Sequence, residues 1–125
     1  MLNAYSLNVT VPADTAIPLN NVRLDKGCDI RLVSPSTINL NRRGLYEVTV
    51  DAASAASTDI ALTQNGTIIP NTAFSGTGYS FTVPVQVSEN NTCCCCTAPV
   101  VLQVVNPAAA SATYDVVNVY IKKVC

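Results

Sequence analysis

From Tyr79 to Ser88 the chain reads YSFTVPVQVS, with apolar side chains at 79, 81, 83, 85 and 87 and polar ones at 80, 82, 86 and 88. A period of two puts these sets on opposite faces of an extended chain, which a helix of period 3.6 cannot do. Pro84 lies on the polar side and removes a ladder donor, which suits an edge strand or a bulge. Similar runs recur about every ten residues, the spacing of an all-β sandwich or barrel. Strands are expected near 4–11, 15–24, 29–34, 37–41, 44–53, 58–64, 67–70, 79–88, 99–106 and 113–124. Helix signals are scarce. The Ala-rich runs at 52–56 and 108–112 are short and interrupted by Ser, so they read as loops or strand ends.

Turns are legible between the strands. Asn65-Gly66 separates two runs, and both residues tolerate the positive φ of a two-residue hairpin. Arg43-Gly44 precedes a strand in which Tyr46, Val48 and Val50 alternate inward, and Asn90-Asn91-Thr92 breaks the chain before a run of cysteines. No linker or internal repeat interrupts the pattern, so residues 1–125 are expected to form a single domain.

Composition removes several functions. The chain has no His, which takes away the commonest general base and neutral metal ligand. Its seven cations are scattered, a poor basis for binding nucleic acid. No run approaches the length of a membrane span, and the first residues alternate like a strand instead of forming a secretory signal. Synthesis in a cytoplasm, without export, is the expectation. Only 12% of residues are charged while 49% are hydrophobic. A free small domain is expected to carry about 25–35% charge on its surface. Thr, Asn and Ser must therefore cover much of the exterior, and subunit contacts must cover the rest.

Two late strands sharpen that expectation. PVVLQVV (99–105) and YDVVNVYI (114–121) are apolar on both faces, so each must be covered twice. Tyr114, Val116 and Tyr120, with Val101 and Leu102, are expected to face a neighbouring copy, where aromatic residues are enriched. The plainer alternative is an ordinary central core strand.

Few groups could carry chemistry. Cys93-Cys94-Cys95-Cys96 contains one Cys-x-x-Cys spacing, and Cys93 and Cys96 could hold a soft metal. Adjacent residues of an extended chain point to opposite sides, so one chain does not easily surround an ion. With Cys28 and Cys125 the count is even, so all six are disulfide candidates, within or between subunits. Free thiols on a surface loop are the bland alternative. Asp25 and Asp29 could flank a loop cation, though solvated charges explain them more simply. With no His beside the abundant Ser and Thr, no enzyme and no cofactor are expected.

The order of features resembles a known family. Ile38-Asn39-Leu40-Asn41-Arg42-Arg43-Gly44-Leu45-Tyr46-Glu47-Val48 looks like the (V/I)-x-x-x-G-x-Y-x-(V/F) pattern of tumour necrosis factor-like jelly rolls, shared by complement globular heads. Asp59 to Pro70 is similar to the ALxxNGxxIPGT hairpin of their bacterial and phage relatives, found at the ends of collagen-like spore-surface proteins and in phage head fibres or decoration proteins. The chain departs from that pattern at Asn71, where relatives often carry Gly, and at the cysteine run. The resemblance implies an all-β, ten-stranded, two-sheet antiparallel jelly-roll sandwich that forms a homotrimer. With no collagen stalk before the first strand, it implies a structural protein of a phage particle, a capsid decoration or head-fibre component in contact with other virion proteins. A receptor- or carbohydrate-binding module on a tail, spore or cell surface is the alternative.

Overall fold

Every regular element in the computed structural model is a strand, and the structure describes residues 1–27, 29–87 and 100–124. In chain order these are β1 (Leu2–Val11), β2 (Thr15–Ala16), β3 (Asn21–Asp25), β4 (Ile30–Ser34), β5 (Thr37–Leu40), β6 (Gly44–Gln64), β7 (Thr67–Ile68), β8 (Phe74–Val87), β9 (Val100–Asn106) and β10 (Ala112–Lys123). All pairings are antiparallel. One sheet runs β3-β1-β10-β6-β8 and the other β4-β5-β9-β6-β7, with β2 on the β5 side of β9. The architecture is a ten-stranded jelly-roll sandwich.

β6 belongs to both sheets. Its first half pairs with β10 through Val116↔Ala53, and its second half pairs with β9 from Ala61↔Val105 onward. The Ala-rich run at 52–56, expected as a loop or strand end, lies within this 21-residue strand. The ladder to β8 jumps there, from Ala53↔Gly78 to Thr58↔Gly76, so the run is a bulge at the corner. Small side chains let the strand turn without a clash. The expected strand at 15–24 divides for a related reason. β2 pairs in the second sheet and β3 in the first, while Ile17 and Leu19, both buried, cross between them.

The core forms where the alternations meet. Tyr46, Val48 and Val50 are fully buried, facing Ile38, Leu40, Leu62 and Leu102 from the second sheet. From β8, Val85 and Val87 are buried, whereas Tyr79, Phe81 and Val83 are half-buried at the sheet edge. That edge position accommodates Pro84. Among the buried polar residues, Asn106 is fully buried. Its amide donates to the carbonyls of Val11 (3.3 Å), Pro12 (3.3 Å) and Ala110 (3.1 Å), so one side chain ties the end of β1 to the β9–β10 loop.

Two turns have the backbone their residues allow. Asn65 and Gly66 have φ of 53° and 86°, joining Gln64 to Thr67 across a two-residue hairpin. The Asn65 side chain accepts the Val101 N–H at 2.9 Å, docking the turn on β9. Asn71, where the pattern this chain resembles often has Gly, has φ of 66°. Asn is the residue other than Gly that most readily adopts this left-handed conformation, so the departure preserves the turn.

Tyr114 corrects an expectation. Strict alternation places it on one face with Val116 and Tyr120, yet it is fully buried, and its hydroxyl donates to the carbonyl of Asp59. The cause lies in the β1–β10 ladder. Leu7↔Val116 and Val9↔Tyr114 are pairs, but Asn8 between them has φ of 52°, and both strands change faces there together. Burial raises the Tyr114 phenol above its ordinary value, helped by Tyr79 and Asp59. Tyr46 and Tyr79 are raised as well, each chiefly by burial.

Three outcomes follow from these arrangements. A Cβ at Gly66 meets nothing within 4 Å, so Gly66→Ala carries backbone strain alone and should lower the urea unfolding free energy by about 1–2 kcal/mol. The three raised tyrosines favour the neutral phenol in the folded state. Their contribution is complete below the unfolded phenol value of about 10 and is lost as pH rises above it. The urea midpoint should therefore fall steeply above about pH 10. Tyr114→Phe should cost about 1 kcal/mol at neutral pH and make the alkaline fall shallower.

Candidate interaction face

The first sheet has one face in the core and one turned outward. On the outward face the strand registers align side chains into rows. Leu7, Val116, Ala53 and Gly78 form an apolar row across β1, β10, β6 and β8, with Leu7 57% exposed. The next row is Tyr5, Asn118, Asp51 and Ser80. Beyond it come Asn3, Tyr120, Thr49 and Thr82, in which the two Thr hydroxyls meet at 3.0 Å. Lys122 and Glu47 close that end with an ion pair at 3.6 Å, exposed enough to contribute little stability.

A continuous chain of polar contacts runs through the middle of this face. The Arg23 guanidinium donates to Asn3 Oδ1 at 3.4 Å, and Asn3 Nδ2 donates to Asn118 Oδ1 at 2.8 Å. Asn118 Nδ2 donates to Asp51 Oδ2 at 3.4 Å, and Ser80 Oγ donates to Asp51 Oδ1. The five residues come from β3, β1, β10, β6 and β8, one from every strand of the sheet. Asn3 also donates to the carbonyl of Val119 at 3.0 Å, and is only 6% exposed although it faces outward. Arg23 lies over the Tyr5 ring, 4.7 Å from its centroid.

A second apolar surface lies at the β8 edge. Phe74, 38% exposed, stacks on half-buried Phe81 with ring centroids 5.0 Å apart. β8 carries no charged residue anywhere along its length.

The expected contact residues separate. Val116 and Tyr120 lie half-buried on the outward face of the first sheet. Val101 is half-buried on the outer side of the second sheet, opposite Asn39. Leu102 is fully buried in the core, as Tyr114 is, so neither presents a surface to a neighbour. Cys28, Cys93, Cys94, Cys95, Cys96 and Cys125 all lie outside the described residues, and so do the metal and disulfide expectations placed on them. Asp29 is occupied: Arg42 Nε lies at 3.0 Å and Lys123 Nζ at 3.9 Å from its carboxylate. Among the described residues no three His, Cys, Asp or Glu side chains are grouped as metal ligands, and no helix is long and apolar enough to cross a membrane.

Sequence reasoning missed the polar row. Its members stand at outward positions of their strands, but Asn3 and Asn118 are 115 residues apart and meet only through the register of β1 on β10.

No family model and no curated protein matches the chain. Solved structures do. The PRD1 vertex protein P5 matches with a TM-score of 0.62 over 99% of this chain and 96% of that one, at 13% identity. The globular domain of zebrafish complement 1qA protein gives 0.65 over 95% and 94%, at 12% identity. Rabbit GITRL gives 0.62 over 100% and 95%, at 11% identity. At these identities the likeness is one of fold, an antiparallel jelly-roll sandwich.

Proposed function

We propose that this protein is a non-enzymatic structural component of a phage particle, a homotrimer that decorates the capsid or forms part of a head fibre. The observation that carries the reading is the outward face of the first sheet. It holds Tyr5, Val116 and Tyr120 half-buried beside strongly exposed Leu7, in a chain with too little charge to cover itself as a free domain. The β8 edge, with exposed Phe74 stacked on Phe81, is a second apolar surface on a different part of the same molecule. Packing the edge of one copy on the face of the next is a heterologous contact, and three such contacts close a ring. The tumour necrosis factor-like resemblance implies the same number.

The virion placement has separate support. The resemblance includes phage head-fibre and decoration proteins, and one structure with this fold is named as a vertex protein. Such a protein is made in the host cytoplasm, joins the capsid surface there and contacts other virion proteins. Its stability would come from strand ladders and subunit contacts, with no catalytic group required.

The assembly is tested by native mass spectrometry and sedimentation, which should give a mass near three times the 13.1 kDa chain. A folded monomer at all accessible concentrations would refute the trimer. Val116→Glu places a charge in the apolar row without touching the core. It should weaken assembly at least about tenfold while the β-sheet circular dichroism is retained.

A further inference from the structure

We infer that the polar row Arg23–Asn3–Asn118–Asp51–Ser80 fixes the register of the copy-to-copy contact, with Asp51 as the acceptor for donors on the β8 edge of the neighbouring copy. The inference rests on the assembly proposed above and adds what makes it unique.

Flanking apolar and aromatic side chains supply contact area, but such contact is non-directional. An edge strand could slide along rows of Leu7, Val116 and Ala53 on one side and Tyr120 on the other with little change in buried surface. The polar row interrupts that freedom. Inside the chain its groups form a continuous sequence of donors and acceptors, except at one place. An ionised carboxylate has about four acceptor positions. Asp51 uses one oxygen for the Asn118 amide and the other for the Ser80 hydroxyl. Both donors are neutral. The two carboxylates with close cations among the described residues, Asp29 and Glu47, lie elsewhere. Asp51 therefore retains acceptor capacity in the middle of the face, between the apolar row and Tyr120.

The β8 edge fits this acceptor. It brings no cation and no competing anion, and it carries polar donors beside its aromatic residues. Thr77, exposed, stands where the β8 ladder jumps past the β6 bulge, and Gln86 is exposed further along. Neither side chain has a hydrogen-bond partner within the chain among the described residues. A neighbour seated with a donor against Asp51 satisfies the carboxylate. Shifting that neighbour by one row would set its donor against the Leu7 or Tyr120 row and leave the covered carboxylate facing an apolar side chain without that donor, which is unfavourable. Register is thus selected by the penalty on the wrong arrangements more than by the strength of the right one.

The test compares assembly masses of three full-length chains by native mass spectrometry. The natural chain should give a single trimer mass. Asp51→Leu/Asn118→Leu, which makes the middle of the face apolar, should still associate but lose the single mass, spreading over more than one assembly size. Val33→Thr, at a strongly exposed position on β4 of the second sheet and away from the row, should leave the single trimer intact. A natural chain that is monomeric would overturn the assembly and this inference together. A natural trimer whose double variant also gives one sharp trimer, with its β-sheet circular dichroism retained, would overturn the register role alone. Should the double variant fail to fold, Asp51→Ala on the same readout decides, with a single sharp trimer again counting against the inference.

Discussion

The whole arrangement depends on β6, because one strand holds the two sheets in register. Its first half fixes the order of β10 and β8, and its second half fixes β9 and β7. The alternation Tyr46, Val48, Val50, Ala52 builds one wall of the core, and Ile60 and Leu62 build the opposite wall. Between them, the bulge at 54–57 changes the direction of the chain without ending the strand. Buried Ser54 and Thr58 hold that corner: their hydroxyls meet at 2.9 Å, and Thr58 also meets the Tyr79 hydroxyl at 2.8 Å. Buried polar groups need internal hydrogen-bond partners. Here the hydroxyls of Ser54, Thr58 and Tyr79 supply one another's, which ties the corner to β8.

How much of this is legible in the sequence depends on the range of the interaction that decides it. Tyr46, Val48 and Val50 are readable because their burial follows from local alternation. Asn65-Gly66 is readable because a turn of two left-handed residues suits only a few pairs. The run at 52–56 is ambiguous: nothing local distinguishes a loop from a strand bending between sheets, and the answer comes from β10 and β9 claiming opposite ends. Tyr114 fails for a related reason. Its face is set by a left-handed Asn8 on another strand, more than one hundred residues away, which no period within β10 encodes. The polar row belongs to the same class, since it exists only after five strands have found their registers.

Low charge acquires a physical role from that row. In the proposed assembly, a face that meets another copy has two competing needs, contact area and a unique seating. Charged residues would give direction, but each must lose its water on assembly, and a buried ion pair often recovers little of that loss. Neutral amides and hydroxyls lose less on burial and still define where donors and acceptors must meet. This face uses Asn3, Asn118, Ser80, Thr49 and Thr82 for most of its polar contacts. It keeps one carboxylate, Asp51, in the middle and leaves the Lys122–Glu47 pair at the end, where water can remain. In the proposed assembly, the scarcity of charge and the abundance of Asn, Ser and Thr answer one requirement: the surface must be polar enough to specify its partner and inexpensive enough to desolvate.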